Sequence, residues 1–168
     1  MKKPVYSFGT VSHGTMRNID LLRSFGEQLD YLAKVNGCLP KYMSLINDSD
    51  RYANFLEDHE EGLYKPHHTT IRESIFSTVS EIINEELFNA LNGFAAPYMY
   101  FGSHIGDGSD YGFWITEDIE QDFDGLKVSD TSEVPKDYTG EVLHVNDHGN
   151  ITLYSAKNGN LLEIWARV

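Results

Sequence analysis

Apolar residues recur at steps of three and four through the first half of the chain, and alternate with polar ones after Pro97. Leu22, Phe25, Leu29, Leu32 and Val35 form one stripe of an amphipathic helix, with Thr15 as its expected N-cap and Asn36-Gly37 as its stop. Pro40 is expected to open a short helix through Ile46, and Asp48 or Ser49 to cap another through Leu56. Pro66 breaks the pattern. Thr70, with Glu73 three residues on, has the form of a capping box ahead of Ile75, Val79, Ile82 and Ile83. Asn84 is a second expected cap, for a segment from Glu85 to Asn92 closed by Gly93.

Tyr98-Met99-Tyr100-Phe101 and Tyr111-Gly112-Phe113-Trp114-Ile115 are aromatic runs of strand type, joined by a glycine-rich loop from Gly102 to Asp110. Val142 to Val145, Ile151 to Tyr154 and Leu162 to Val168 follow, separated by Asn146-Asp147-His148-Gly149 and Lys157-Asn158-Gly159-Asn160. Asn-Gly supplies the positive φ that a tight hairpin needs. These three segments predict an antiparallel meander, with Leu162, Ile164 and Ala166 on one face beside Ile151 and Leu153. Helices first and strands later predict an α+β fold, N-terminal helices packed on a C-terminal antiparallel sheet. One domain is expected over residues 1–168, helical over 15–92 and mainly strands over 98–168, because no repeat or low-complexity linker marks a boundary.

A chain of 168 residues, 40% hydrophobic and 12% aromatic, can bury a core of its own. Its charge is less usual. Twenty-six acids against thirteen bases give −13. Direct binding to nucleic acid is not expected, because Lys and Arg must neutralise the phosphates; anionic membrane surfaces are disfavoured alike. Six bases and three acids fall in residues 1–45, and the other 23 acids lie beyond. Cys38 is the one cysteine, which rules out an intrachain disulfide and a multi-cysteine metal site. No segment reaches 18 apolar residues, and Met1-Lys2-Lys3-Pro4 has no apolar stretch behind it, so a cytoplasmic protein is expected.

Two kinds of chemistry are written into this pattern. His104, Asp107 and Asp110 in one loop, and His144, Asp147 and His148 around another, would form an acid–base or divalent-metal cluster if the loops converged. Their spacing matches no established metal motif, and Asp, Asn and Gly also populate turns because their side chains bond nearby backbone. No cofactor is therefore expected. Ser12-His13 would need a third group to orient the imidazole, and no nucleophile elbow is present. Cys38 follows a helix stop rather than a start, so nothing activates it toward His67 or His68. The second kind is electrostatic. Glu57, Asp58, Glu60 and Glu61 form one dense run, and Glu117, Asp118, Glu120, Asp122 and Asp124 another. Ile119 and Phe123 stand four apart, which would turn one helical face inward and leave the second run's carboxylates outward, as in an imitation of a phosphate backbone. A solvated face that keeps the protein soluble carries the same pattern.

Three stretches carry a resemblance: Gly9-Thr10-Val11-Ser12-His13-Gly14-Thr15, the run from Tyr100 to Trp114, and the run from Leu143 to Tyr154. On these the chain resembles a family of small acidic proteins of phages, plasmids and other mobile elements. The resemblance brings no catalytic residues. It implies an accessory protein, an inhibitor of host defence of anti-CRISPR or anti-restriction type. Its partner would be a basic nucleic-acid-handling host protein such as a CRISPR effector or another nuclease, held through the acidic runs. Self-association is compatible with this expectation. A small hydrolase, metal-dependent or acid–base, using His104, Asp107, Asp110, His144 and His148 is the alternative expectation.

Overall fold

A computed structural model describes residues 8–63 and 68–167, with 60–63 described by their backbone. The chain divides into two compact units, Met1–Trp114 and Ile115–Val168. The α+β class holds: the helices of the N-terminal half precede an antiparallel C-terminal meander. No helix among the described residues is long and apolar enough to cross a membrane.

The first unit opens with a strand that the hydropathy pattern does not announce, β1 (Gly9–Ser12). Three helical segments follow: α1 (Asn18–Val35), α2 (Leu39–Leu63) and α3 (Thr69–Glu81). The last runs on through a π-helical turn (Ile82–Leu87) into α4 (Phe88–Asn92). Strands β2 (Met99–His104) and β3 (Asp107–Ile115) complete the sheet, in the order β1-β3-β2. The expected loop 102–110 is thus mostly strand, with Ile105-Gly106 as its turn. The α1 stripe is buried at Leu22, Phe25, Leu29 and Leu32, but Val35 is exposed. Phe25 meets Phe88, Phe101 and Tyr111 edge to face at 5.1–5.7 Å, which ties α1 and α4 to β2 and β3.

Two expected helix breaks do not occur, and a third expected cap is displaced. Asp48 and Ser49 lie inside α2, which runs unbroken for 25 residues. Tyr42, Ile46, Ser49, Ala53 and Leu56 are all buried at steps of four and three, so one face crosses the supposed break. Ser49 Oγ donates back to the Ile46 carbonyl at 2.8 Å, and Asp48 pairs with Arg51, so neither caps. Thr70 is inside α3 and the flanking His68 makes no side-chain cap. Asn84 donates to Ser80 Oγ within the π turn. Val79, Ile83, Leu87 and Leu91 are buried at uniform steps of four. A step of four outruns the 3.6-residue turn, and the wider π turn absorbs the difference without a break. Thr15 stands upstream of the start of α1, where its hydroxyl accepts from Arg17 N–H and donates to Asp20. Asn36 does end α1, its amide reaching the Leu32 carbonyl. Pro66 and His67 lie outside the described residues.

The second unit holds α5 (Ile119–Asp122) and a four-stranded sheet ordered β4 (Leu126–Val128), β5 (Gly140–Val145), β6 (Ile151–Lys157) and β7 (Asn160–Arg167). β5, β6 and β7 are the expected meander, joined at the second turn by Asn158 and Gly159 with φ of 50° and 72°. A β-carbon on Gly159 would also lie 2.6 Å from the Lys136 carbonyl oxygen, so this turn admits no larger residue. β4 adds a parallel strand that sequence periodicity is too short to reveal. Val128, Val142 and Ala156 are buried with Leu126, Val134, Tyr138, Tyr154 and Leu161 packed around them. Across the meander Leu143, Leu153 and Trp165 stand in register, and all three are buried. The expected face of β7 is therefore corrected. The register shifts between Leu153 and Tyr154, whose partners are Trp165 and Glu163, so Ile164 is left without a partner as a bulge. Leu162 is 72% exposed and Trp165 takes the buried position.

Candidate functional site

The second acidic run takes the shape its apolar spacing predicts. Ile119 and Phe123, four apart, are 2% and 4% exposed. Glu117, Asp118, Glu120, Asp122 and Asp124 are all exposed. The intervening helix is a single turn, started by the Asp118 carbonyl accepting from the Gln121 and Asp122 N–H groups at 2.8 Å. Lys127 on β4 donates its Nζ to the Glu120 carbonyl and so clamps the turn to the sheet edge. Sequence gives no signal for this clamp, because it depends on where β4 lies.

The first run is placed differently. Arg23 on α1 grips Glu57 on α2 with both guanidinium nitrogens, at 2.6 and 3.2 Å. That bidentate bond, and the positive charge behind it, hold the Glu57 carboxyl below its usual range. Glu57 is thus a link between helices as well as an exposed acid. Asp58 is exposed; the side chains of Glu60 and Glu61 lie outside the described residues.

Of the other constellation, His104, Asp107 and His144 are held by local hydrogen bonds. On the β2–β3 hairpin, Gly106 N–H donates to His104 Nδ1 at 3.1 Å, which leaves Nε2 to carry the proton of the neutral ring. The ring packs edge-on against Trp114 at 4.7 Å. Asp107 Oδ1 accepts from the Ser109 N–H and hydroxyl, at 2.9 and 2.8 Å, and Oδ2 lies 3.4 Å from His13 Nε2. The Ser109 N–H, then its hydroxyl, hold the Asp107 carboxyl below its ordinary value, with a smaller contribution from His13. Asp110 keeps Oδ1 buried with no hydrogen-bond partner among the described residues. In the second unit His144 Nε2 faces the Ser129 carbonyl at 3.1 Å. Asn146 Oδ1 accepts from the His148 and Asn150 N–H groups and builds the turn that carries Asp147 and His148. Both of those side chains are exposed, with no hydrogen bond or ion pair among the described residues.

His104, Asp107 and Asp110 belong to one sheet; His144 lies in β5 of the other, and Asp147 and His148 in the turn that follows it. Among the described residues no three His, Cys, Asp or Glu side chains are grouped to hold a metal ion. Asp107 is the third group that Ser12-His13 would need, yet Ser12 is buried in β1. The hydroxyl that does reach Asp107, that of Ser109, donates to the acid and not to the base, so proton relay from hydroxyl to imidazole is not assembled. No family model, curated protein or solved structure matches the chain.

Proposed function

We propose that this protein works by binding, as an inhibitor that presents carboxylates to a basic groove of a nucleic-acid-handling protein. The single observation that carries this reading is the run 117–124. Two apolar residues are locked inward, and five carboxylates within eight residues face solvent. Duplex DNA offers a charge every ~1.7 Å of its axis, so a mimic needs local density of this kind as well as net charge. The second unit concentrates it, with eleven acids against four bases in residues 115–168. The resemblance to mobile-element proteins supplies the context: a counter-defence role, with a CRISPR effector or restriction nuclease as the class of partner.

Purified protein used as bait in host lysate tests this. The retained partner is expected to be basic, to be released by added DNA or RNA, and to be lost when Glu117, Asp118, Glu120, Asp122 and Asp124 are replaced by Gln or Asn. A partner that binds the neutralised protein as tightly as the wild type contradicts the reading.

A further inference from the structure

We infer that the tip of the β2–β3 hairpin is a proton-operated latch, closed by the neutral ring of His104 and released when that ring takes up a proton. Imidazole changes charge between about pH 5 and 8, and the effect depends on whether its ring nitrogens donate or accept. His59 Nδ1 faces the Phe55 carbonyl and His144 Nε2 the Ser129 carbonyl, so both rings donate, and a second ring proton leaves those bonds in place. His13 Nε2 lies beside the Asp107 carboxylate, where added positive charge is attracted. His104 is set the other way round. Its Nδ1 accepts the Gly106 N–H at 3.1 Å, across the turn Ile105-Gly106. The ring folds directly over that turn, since a β-carbon on Gly106 would lie 3.4 Å from its Nδ1 and Cε1. It also stands edge-on to Trp114 at 4.7 Å. Protonation makes Nδ1 a second donor pointing at an N–H, so the bond is lost and the ring is driven off the turn. The charged groups around the tip are Asp107 and Asp110 on β3 and His13 just past β1. Asp107 is already engaged by Ser109 and His13, and no ion pair joins any of the three to His104 among the described residues. No ion pair therefore holds the protonated ring where the neutral ring sits. Release uncovers part of the Trp114 indole, and with Ile105, already 66% exposed, the tip then presents a larger apolar surface than at neutral pH.

The test is an NMR titration of the full-length protein between about pH 8 and 5, which needs no partner and does not depend on the acidic run. At the upper end His104 should show a bare Nδ1 and a protonated Nε2. On the way down, the Gly106 amide and the Trp114 ring protons should shift with the same midpoint as the His104 ring. Protection of the Gly106 amide from hydrogen exchange should fall about two- to ten-fold across that midpoint, the loss that one ordinary hydrogen bond carries. His104→Asn places an oxygen acceptor near the position of Nδ1 and takes up no proton, so its Gly106 amide should stay in place throughout. His13→Gln should keep the whole transition. A proton on Nδ1 at the upper end, or a Gly106 amide that ignores the His104 titration, overturns the latch, and both are read on the unaltered protein. A transition that survives His104→Asn, or disappears with His13→Gln, overturns it as well by assigning the change to His13 and Asp107.

Discussion

Trp165 and Ile164 are neighbours with opposite fates, and the bulge decides between them. Trp165 is 1% exposed in the row with Leu143 and Leu153, whereas Ile164 has no cross-strand partner. Trp165→Ala should therefore cost roughly 3–5 kcal/mol, the range for a buried large-to-small change. Ile164→Ala should cost less than about 2 kcal/mol, because half-buried methylenes leave a smaller cavity. Urea denaturation of both variants checks the order, and a larger loss at Ile164 would place the bulge elsewhere. Alternation alone pointed to Ile164, because a bulge shifts the side-chain phase by one residue and leaves no mark in composition. Asp107 is a second residue whose surroundings set its behaviour. Its folded value is depressed by Ser109, so its contribution to stability is present above the ordinary unfolded value of about 3.9 and fades as pH falls through the folded value. Ser109→Ala removes the hydroxyl and keeps the N–H, so it should raise the Asp107 titration midpoint part of the way towards the ordinary range. Carboxyl NMR follows it, and an unmoved Asp107 would mean that the hydroxyl contributes nothing.

At the scale of elements, the close approach of α1 and α2 makes a sharp prediction. Replacing an interior helical glycine by alanine normally stabilises by about 1 kcal/mol. At Gly26 the new methyl meets Ser49 Oγ, and overpacking of this sort costs typically about 1–3 kcal/mol. Gly26→Ala should thus lower stability on balance, and do so less in a Ser49→Ala background; thermal melts of the single and double variants decide it. A stabilised Gly26→Ala protein would show that the helices do not touch there. Much of the helical half was legible from periodicity, yet its breaks were overread. Asp48, Ser49 and Asn84 carry the chemistry of caps, but a cap needs a free helix end, and a buried stripe running past them denies one, whereas Thr70 stands one residue inside the start of α3. The spacing Tyr42-Ile46-Ser49-Ala53-Leu56 was the better guide. β1 and β4 were illegible for a different reason: four and three residues are too few to show a period, and their pairing with β3 and β5 is long-range.

For the molecule as a whole, charge is the property that most needs a physical account. The inward placement of Ile119 and Phe123 was readable from a four-residue step; the Lys127 clamp was not, because it depends on where the short strand β4 lies, and the pairing of Glu57 with Arg23 was not, because it joins residues far apart in sequence. Neutralising the five carboxylates of 117–124 should leave fold stability within about 1 kcal/mol, since exposed acids that repel one another add nothing to a core. A chain that unfolds on neutralisation would make the run structural. The most direct test of function is the salt dependence of affinity for the captured partner. Exposed charges are screened within about 8–10 Å at physiological ionic strength, so wild-type binding should weaken steeply as salt rises. The five-fold variant should bind more weakly at low salt and show a flatter dependence, the two curves converging at high salt. Parallel curves with equal affinity would contradict the account and leave the acidity as a means of staying in solution.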